Sequence, residues 1–141
     1  MTPFPGEIYR HEAFYIDEKT GARLPKFLLV LATPKGDDIV FRLLTSRDHA
    51  RRRIPRCDPS GSYPGFYLGS QLCDELPLDT WVDLRRHPDY DAIEFQHKHD
   101  AQELRQVHTL SRTEQRKASL CAATAPDTSP RQAKRIMNSL N

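Results

Sequence analysis

The chain has 141 residues, of which 38% are hydrophobic and 28% charged, with a net charge of +2 and a mean hydropathy of −0.68. This length suits one domain of ordinary size and excludes two independent domains joined by a linker. No apolar stretch approaches the roughly 18 residues of a membrane span, and the N-terminal segment lacks the apolar core of a secretory leader. We therefore expect a cytoplasmic protein that makes no use of a membrane.

The first part of the chain is typical of a β-sheet. Residues 6–16 alternate imperfectly and are rich in aromatic and β-branched side chains, which predicts a strand that ends in a turn at 17–21. Residues 26–32 and 39–46 are apolar runs on either side of a turn at 33–38. Both runs are too short for convincing helices, so they predict a hairpin.

An arginine-rich loop, residues 47–65, follows the hairpin. Its composition shifts to Arg, Pro, Gly, Ser and Asp without an apolar period. Long ordered loops in small domains are often functional. Residues 66–69 then predict a short strand, and the alternation of residues 80–85 fits a half-buried strand after another loop at 70–79.

The remainder of the chain predicts helices with one more strand. Residues 89–99 indicate a short helix and residues 104–110 a last strand. Ser111 and Glu114 have the spacing of a capping box, in which each side chain caps the other's backbone amide, and they predict a helix to about residue 124. A second cap at 128–130 opens a helix over 131–140, whose apolar face comprises Ala133, Ile136, Met137 and Leu140.

The three cysteines predict neither a disulfide nor a zinc site. Cys57, Cys73 and Cys121 are irregularly spaced and have no CxxC pair or accompanying histidine motif. His97 and His99 do not indicate a metal pair either, because rings two residues apart on a helix diverge. We expect no metal and no cofactor.

Local charge points to a phosphate ligand more clearly than net charge does. Arginine outnumbers lysine 15 to 6, and the segment 42–56 holds six arginines against a single acid, Asp48. The planar guanidinium suits bidentate phosphate contacts. The Thr45-Ser46 pair leaves a rigid apolar strand immediately before this cluster, so we expect the functional site at that junction.

The succession of these elements resembles the PemK/MazF-like family, the ribonuclease toxins of bacterial toxin–antitoxin systems, as a divergent member. The likeness is carried by the opening Gly-Glu-Ile-Tyr at 6–9, the Lys-Phe-Leu-Leu-Val-Leu run at 26–31, and the strand 39–46 that ends in Thr-Ser. A Trp-Val-Asp-Leu strand at 81–84 and helices that begin near a Leu-Ser step at 110–111 complete it.

This resemblance implies an α+β, mainly β fold: a small SH3-like antiparallel β-barrel over about 5–110 with C-terminal helices over about 111–140. It also implies a homodimer that cleaves single-stranded RNA without a metal, using the ribose 2′-hydroxyl as nucleophile and leaving a cyclic phosphate. A cognate antitoxin protein would block the RNA groove.

The family pairs an arginine before the second strand's apolar run with a threonine at the end of the third strand. The matching positions are Lys26 and Thr45, and here Lys26-Phe27 stands where the family has Arg-Pro. Lysine still stabilises phosphorane charge but lacks bidentate geometry. Arg23 could supply a guanidinium if its segment bent back.

Further candidates come from the residues themselves. Metal-free RNA cleavage needs an acid and a base, for which His49 in the loop and His11 on the first strand are plausible; a solvated loop histidine is the alternative for His49. Aromatic side chains among arginines suit unpaired bases, and Tyr63 is the best placed. The candidate RNA-binding residues are Arg23, Ser46, Arg47, Arg51, Arg52, Arg53 and Tyr63.

Two other functions stay open at this level. The chain could be a non-catalytic barrel that binds nucleic acid or a partner protein, having lost its chemistry with the change to Lys26. It could also be a regulator in which the barrel is only a scaffold, because fold alone does not decide function.

Overall fold

A computed structural model describes residues 3–35 and 38–140 of the chain. The predicted turn at 33–38 includes Gly36 and Asp37, which lie outside the described residues. Within the described ranges the elements in chain order are β1 (Glu7–Ile16), β2 (Arg23–Ala32), β3 (Val40–Thr45), β4 (Cys57–Asp58), β5 (Gly65–Gly69), β6 (Thr80–Asp83), α1 (Ala92–Asp100), β7 (Leu104–Thr109), α2 (Arg112–Thr124) and α3 (Pro130–Asn138).

The strands form one antiparallel sheet in the order β4-β5-β6-β3-β2-β1-β7. The predicted hairpin is confirmed, since β2 and β3 are antiparallel neighbours with Leu28 opposite Leu43. The expected α+β class with mainly β structure is confirmed as well. In the described part of the chain the hydrogen-bonded ladder ends at β4 on one side and at β7 on the other.

The sheet is strongly curved, as charged contacts between distant strands show. Glu75 lies in the connection between β5 and β6, yet its carboxylate pairs with Arg105 on β7 and lies 3.9 Å from the guanidinium of Arg10 on β1. The connection 70–79 is therefore held against the far side of the sheet, next to the start of β2.

Both faces of the sheet are covered, and this explains the unbroken apolar run in β2. Alternate residues of a strand point to opposite faces. Leu28 and Val30 pack in a cluster with Phe95 of α1, whereas Leu29 and Leu31 pack in the larger cluster to which α2 and α3 contribute. We call these the α1 face and the α2–α3 face.

The helix starts agree with the predicted caps except for two details. Asp91 caps α1 by accepting from the Glu94 amide, so this helix begins at Ala92 rather than at 89. Ser111 caps α2 by accepting from the Glu114 amide at 3.2 Å. The reciprocal arm of the capping box was wrongly predicted, because the Glu114 carboxylate pairs with Arg56 of the arginine-rich loop instead.

Helix α3 follows a cap in the predicted segment, Ser129, but it spans Pro130–Asn138 rather than 131–140, and its buried face is different. Ile136 is fully buried, whereas Met137 is 43% exposed and does not belong to the core. Gln132, four residues before Ile136, is buried instead of Met137. A buried arginine, Arg42 on β3, explains this choice, since it donates to the Gln132 side chain at 2.7 Å.

The prediction that the cysteines form no disulfide is wrong. Cys57 on β4 and Cys121 on α2 are bonded, with their Cα atoms 5.7 Å apart, while Cys73 is a free thiol. The two partners are 64 residues apart in sequence, and only the packing of α2 against β4 brings them together. Sequence spacing carries no signal for such a pair.

None of the helices within the described residues combines the length and the apolar character that crossing a membrane requires.

Candidate functional site

The two residues matched to the family's catalytic pair lie beside each other at one end of the central hairpin. Phe27 on β2 pairs with Leu44 on β3. Lys26 and Thr45 occupy the next position on their strands beyond this pair. Positions opposite each other in an antiparallel ladder direct their side chains to the same face. Lys26 and Thr45 therefore share the α1 face.

The same register extends this pair into a row across five strands. Lys26 is opposite His11 on β1, and Thr45 is opposite Trp81 on β6. Trp81 in turn is opposite Tyr67 on β5. We call these five residues the cross-strand row. It places the Lys26 ammonium and the Thr45 hydroxyl between His11 and Trp81, which are buried, so the row offers a ligand these two polar groups rather than a stacking surface.

The polar groups of Lys26 and Thr45 are free to bind a ligand. The Thr45 hydroxyl accepts from the Arg47 amide at 3.1 Å, and its own proton has no acceptor among the residues that the structure describes. The Lys26 ammonium lies 5.7 Å from the centre of the Tyr15 ring. No described carboxylate lies within ion-pair distance of it, so its charge is available to an anion.

An open cavity of about 220 Å³ runs along these strand ends. One side is formed by the connection 75–78, which the Glu75 ion pairs hold in place. The other side consists of the strand segments 25–27 and 44–47, which include the candidates Lys26, Thr45, Ser46 and Arg47. Phe27 and Leu44 belong to the α2–α3 face, so the cavity extends from the Lys26–Thr45 pair across the strand ends to that face.

Glu75 is a polar group of this cavity that the sequence did not indicate. The hydrogen bond from Arg105 lowers the pKa of Glu75, and so the carboxylate stays ionised at neutral pH. Nothing in the local pattern of residues 70–79 relates this loop to β2, and the contact arises only from the curvature of the sheet.

Arg23 does not join the Lys26 site. It is an exposed residue at the first position of β2, in regular strand conformation, three residues before Lys26. An odd separation along a strand directs two side chains to opposite faces. The segment does not bend back, so Arg23 does not replace the family's arginine.

The arginine-rich loop separates into paired and unpaired cations. Arg53 pairs with Asp79, and Arg51 is buried with its guanidinium 3.8 Å from the Asp83 carboxylate. Arg47 and Arg52 are exposed and have no carboxylate partner in the described part of the chain. The last two are therefore the candidates best placed to contact phosphate.

His49 and Tyr63 stack on each other, with ring centres 4.3 Å apart and planes inclined by 9°. The guanidinium groups of Arg51 and Arg85 lie 5.4 and 5.6 Å from the centre of the Tyr63 ring. Tyr63 is 42% exposed, so part of its ring still faces solvent. The structure thus brings His49 to Tyr63 and shows no contact between His49 and Thr45.

The backbone around His49 is held in an uncommon conformation. His49 and Ala50 have φ of 43° and 63°, in the left-handed region that non-glycine residues rarely adopt. The Arg51 side chain donates to the Arg47 carbonyl at 2.8 Å and so closes this turn. Strain of this kind persists only where surrounding contacts fix it, and it clusters at functional sites.

Asp83 pairs with Arg51 and Arg85, the two arginines that lie beside the Tyr63 ring. Burial alone would raise the pKa of Asp83, but hydrogen bonds from Arg85 and the charge of Arg51 outweigh burial and lower it. Asp83 and Arg85 form an ion pair at 2.7 Å. Two nitrogens of Arg51, Nε and Nη2, are buried without a hydrogen-bond partner among the described residues.

Within the described residues, no group of three or more His, Cys, Asp or Glu side chains is arranged to hold a metal ion. Comparison of the chain with protein-family models, with curated proteins and with solved structures finds no match. The functional assignment therefore depends on the residues and their geometry.

Proposed function

We propose that the protein is a metal-independent endoribonuclease of the PemK/MazF-like class, an SH3-like barrel that cleaves single-stranded RNA. The observation that carries the proposal is the position of Lys26 and Thr45. They are neighbours on one face, they line one open cavity, and their ammonium and hydroxyl groups have no charged or accepting partner among the described residues.

The proposed reaction is attack of the ribose 2′-oxygen on the adjacent phosphorus. The bond from phosphorus to the 5′-oxygen breaks, and the products are a 2′,3′-cyclic phosphate and a 5′-hydroxyl. The Lys26 ammonium stabilises the negative charge that develops on the phosphorane, and the Thr45 hydroxyl donates to one of its non-bridging oxygens. A base takes the 2′-hydroxyl proton and an acid protonates the leaving oxygen.

His49 and Glu75 are two candidates for these proton transfers. The other histidine named from the sequence, His11, already uses both ring nitrogens in hydrogen bonds with Ala13 and Tyr90. Glu75 is an ionised carboxylate in the wall of the cavity. His49 lies four residues after Thr45, and its ring would have to leave the Tyr63 stack to reach the phosphate. Arg47, Arg52 and the exposed side of Tyr63 extend the site with two phosphate contacts and one base contact.

The direct test is cleavage of single-stranded RNA by the purified protein in the presence of EDTA. We expect Lys26→Ala to lower the rate about 100-fold, the effect of removing one charge-stabilising donor. Lys26→Arg should keep or raise the rate, because it restores the family's guanidinium. Lys19→Ala, which removes an exposed lysine from the β1–β2 turn, is the matched control and should leave the rate unchanged.

The opposite outcome favours the non-catalytic alternative. If the wild type binds RNA but does not cleave it, the enzyme proposal fails and a single-strand binding module remains. One observation supports that alternative, namely that His49 stacks on Tyr63 and does not contact Thr45.

Adjacent arginines provide a second prediction. Removing an arginine that binds one phosphate should reduce the slope of log K against log salt by about 0.7 for single strands. We expect Arg52→Ala to show this reduction, because its side chain has no carboxylate partner among the described residues. Arg53→Ala should show almost none, because Asp79 already holds Arg53. Fluorescence anisotropy with labelled RNA between low and moderate salt measures both slopes; equal slopes would contradict the assignment.

The same resemblance leads us to propose a cytoplasmic homodimer and a peptide antitoxin that covers the RNA groove. Lys26, Arg47 and Arg52, which have no carboxylate partner among the described residues, suit an acidic antitoxin segment. The test is co-purification with the product of a neighbouring small reading frame, followed by loss of RNA cleavage in the complex.

A further inference from the structure

A second cavity, of about 230 Å³, lies on the α1 face beyond the His11 end of the cross-strand row. Five aromatic side chains that line it form a closed circuit of ring contacts. Their centres are separated by 5.4 Å (His11–Phe14), 5.6 Å (Phe14–His87), 4.7 Å (His87–Phe41), 5.7 Å (Phe41–Tyr90) and 6.2 Å (Tyr90–His11). We call them the aromatic circuit. The rings are inclined to one another by 37° to 85°, and the partly exposed Phe14, His87 and Tyr90 form an apolar wall for a planar ligand.

Hydrogen bonds fix the proton positions in this cavity. The Ala13 amide, which can only donate, gives its proton to Nδ1 of His11 at 3.2 Å. Burial lowers the pKa of His11, so the ring is neutral and its single proton is on Nε2. Nε2 lies 3.1 Å from the Tyr90 oxygen and therefore donates to it.

Tyr90 is left with a proton to donate. The Lys98 ammonium, which pairs with Glu94 at 3.1 Å, lies 5.7 Å from the centre of the Tyr90 ring. The phenol oxygen accepts from His11, and no described residue accepts its own O–H. A ligand in the cavity can accept this proton through an oxygen atom such as that of a carbonyl group.

Carboxylates that line the same cavity can accept hydrogen bonds from N–H groups of such a ligand. Asp91 and Glu94 are exposed lining residues, and each is only partly used by its cap or ion pair. Asp89, a further lining residue, is occupied by Gln132 and Arg135. A planar ring that presents a carbonyl next to an N–H matches the hydroxyl donor and the carboxylate acceptors together.

The position of the cavity connects it with RNA. His11 is directly opposite Lys26 in the β1–β2 ladder, about one strand spacing of 4.8 Å away. A base held against the aromatic circuit would thus belong to a nucleotide close to the phosphate at Lys26.

We propose that this cavity is a nucleobase subsite selective for uracil or guanine, the RNA bases that carry a ring N–H beside a carbonyl. The base stacks on the aromatic circuit, and its carbonyl accepts from Tyr90. The connection with cleavage rests on the proposed ribonuclease function, whereas binding of the base itself does not.

The test is titration of the full chain with uridine, guanosine, cytidine and adenosine, followed by NMR of the histidine and tyrosine ring signals. We expect saturable binding of uridine and guanosine at roughly millimolar concentration, as for a small fragment, and at least tenfold weaker binding of the other two. Tyr90→Phe should weaken uridine binding about tenfold, while Tyr15→Phe, which removes an exposed phenol outside the cavity, should not.

His87→Ala keeps the proposal testable if Tyr90→Phe is unstable, because it removes one wall of the cavity and leaves the Tyr90 hydrogen bonds intact; it too should weaken binding. Equal binding of all four nucleosides, or none, would overturn the subsite. Selective binding without RNA cleavage would leave the subsite standing and defeat only the ribonuclease function. RNA cleavage without nucleoside binding would defeat the subsite and leave the ribonuclease function standing.

Discussion

Removal of the Cys57–Cys121 disulfide should lower the free energy of unfolding by about 4 kcal/mol. The bond closes a sequence separation of 64 residues, and in the chain-entropy model a loop of this size restricts the unfolded chain by about that amount. Urea unfolding of the oxidised protein and of the double variant Cys57→Ala/Cys121→Ala measures the difference.

The third cysteine provides the control for this experiment. Cys73→Ala removes a thiol of similar size but no cross-link, and we expect it to change the free energy of unfolding by no more than about 1 kcal/mol. A double variant as stable as Cys73→Ala would show that the packing of α2 against β4, and not the bond, holds these elements together.

Replacement of Arg42 by alanine should destabilise the protein by about 3 kcal/mol. This arginine is fully buried and donates to the Phe41 carbonyl and to the side chains of Thr128 and Gln132. Its removal leaves buried oxygens without a donor and opens a cavity under α3. Thermal or urea unfolding, monitored by circular dichroism, gives the change in stability.

Two comparisons separate the causes of this effect. Arg42→Met refills most of the volume without restoring the donors, and we expect about half the loss. Arg52→Ala removes an exposed side chain of the same type and should change stability by less than about 0.5 kcal/mol. A loss below about 1 kcal/mol for Arg42→Ala would mean that Gln132 and Thr128 find other partners.

Much of the sheet and of the helix boundaries could be predicted from local sequence, because the signals are local. The apolar runs of β2 and β3 and the caps Ser111 and Ser129 each act within a few residues. The errors concern partners that lie far apart in the chain. Glu114 pairs with Arg56, and Gln132 displaces Met137 from the core because Arg42 needs an acceptor there.

For the candidate site too, local features could be predicted from the sequence and contacts between distant segments could not. The strand ends could be predicted from sequence, and with them the adjacency of Lys26 and Thr45. Which arginines are free to bind a ligand could not, since Asp79 and Asp83 lie well beyond the arginine-rich loop in sequence. Glu75 and the aromatic circuit were equally hidden, because each needs the curvature or the strand order of the complete sheet.

The far end of the arginine-rich loop is attached to α2 twice, by the disulfide to Cys121 and by the ion pair from Arg56 to Glu114. Local opening of α2 would therefore release the loop as well. In native-state hydrogen exchange, the amides of α2 and β4 should open as one cooperative unit with a shared free energy. Fluctuations of a helix remote from Lys26 would then set how often the arginine-rich loop adopts the conformation that we propose binds RNA.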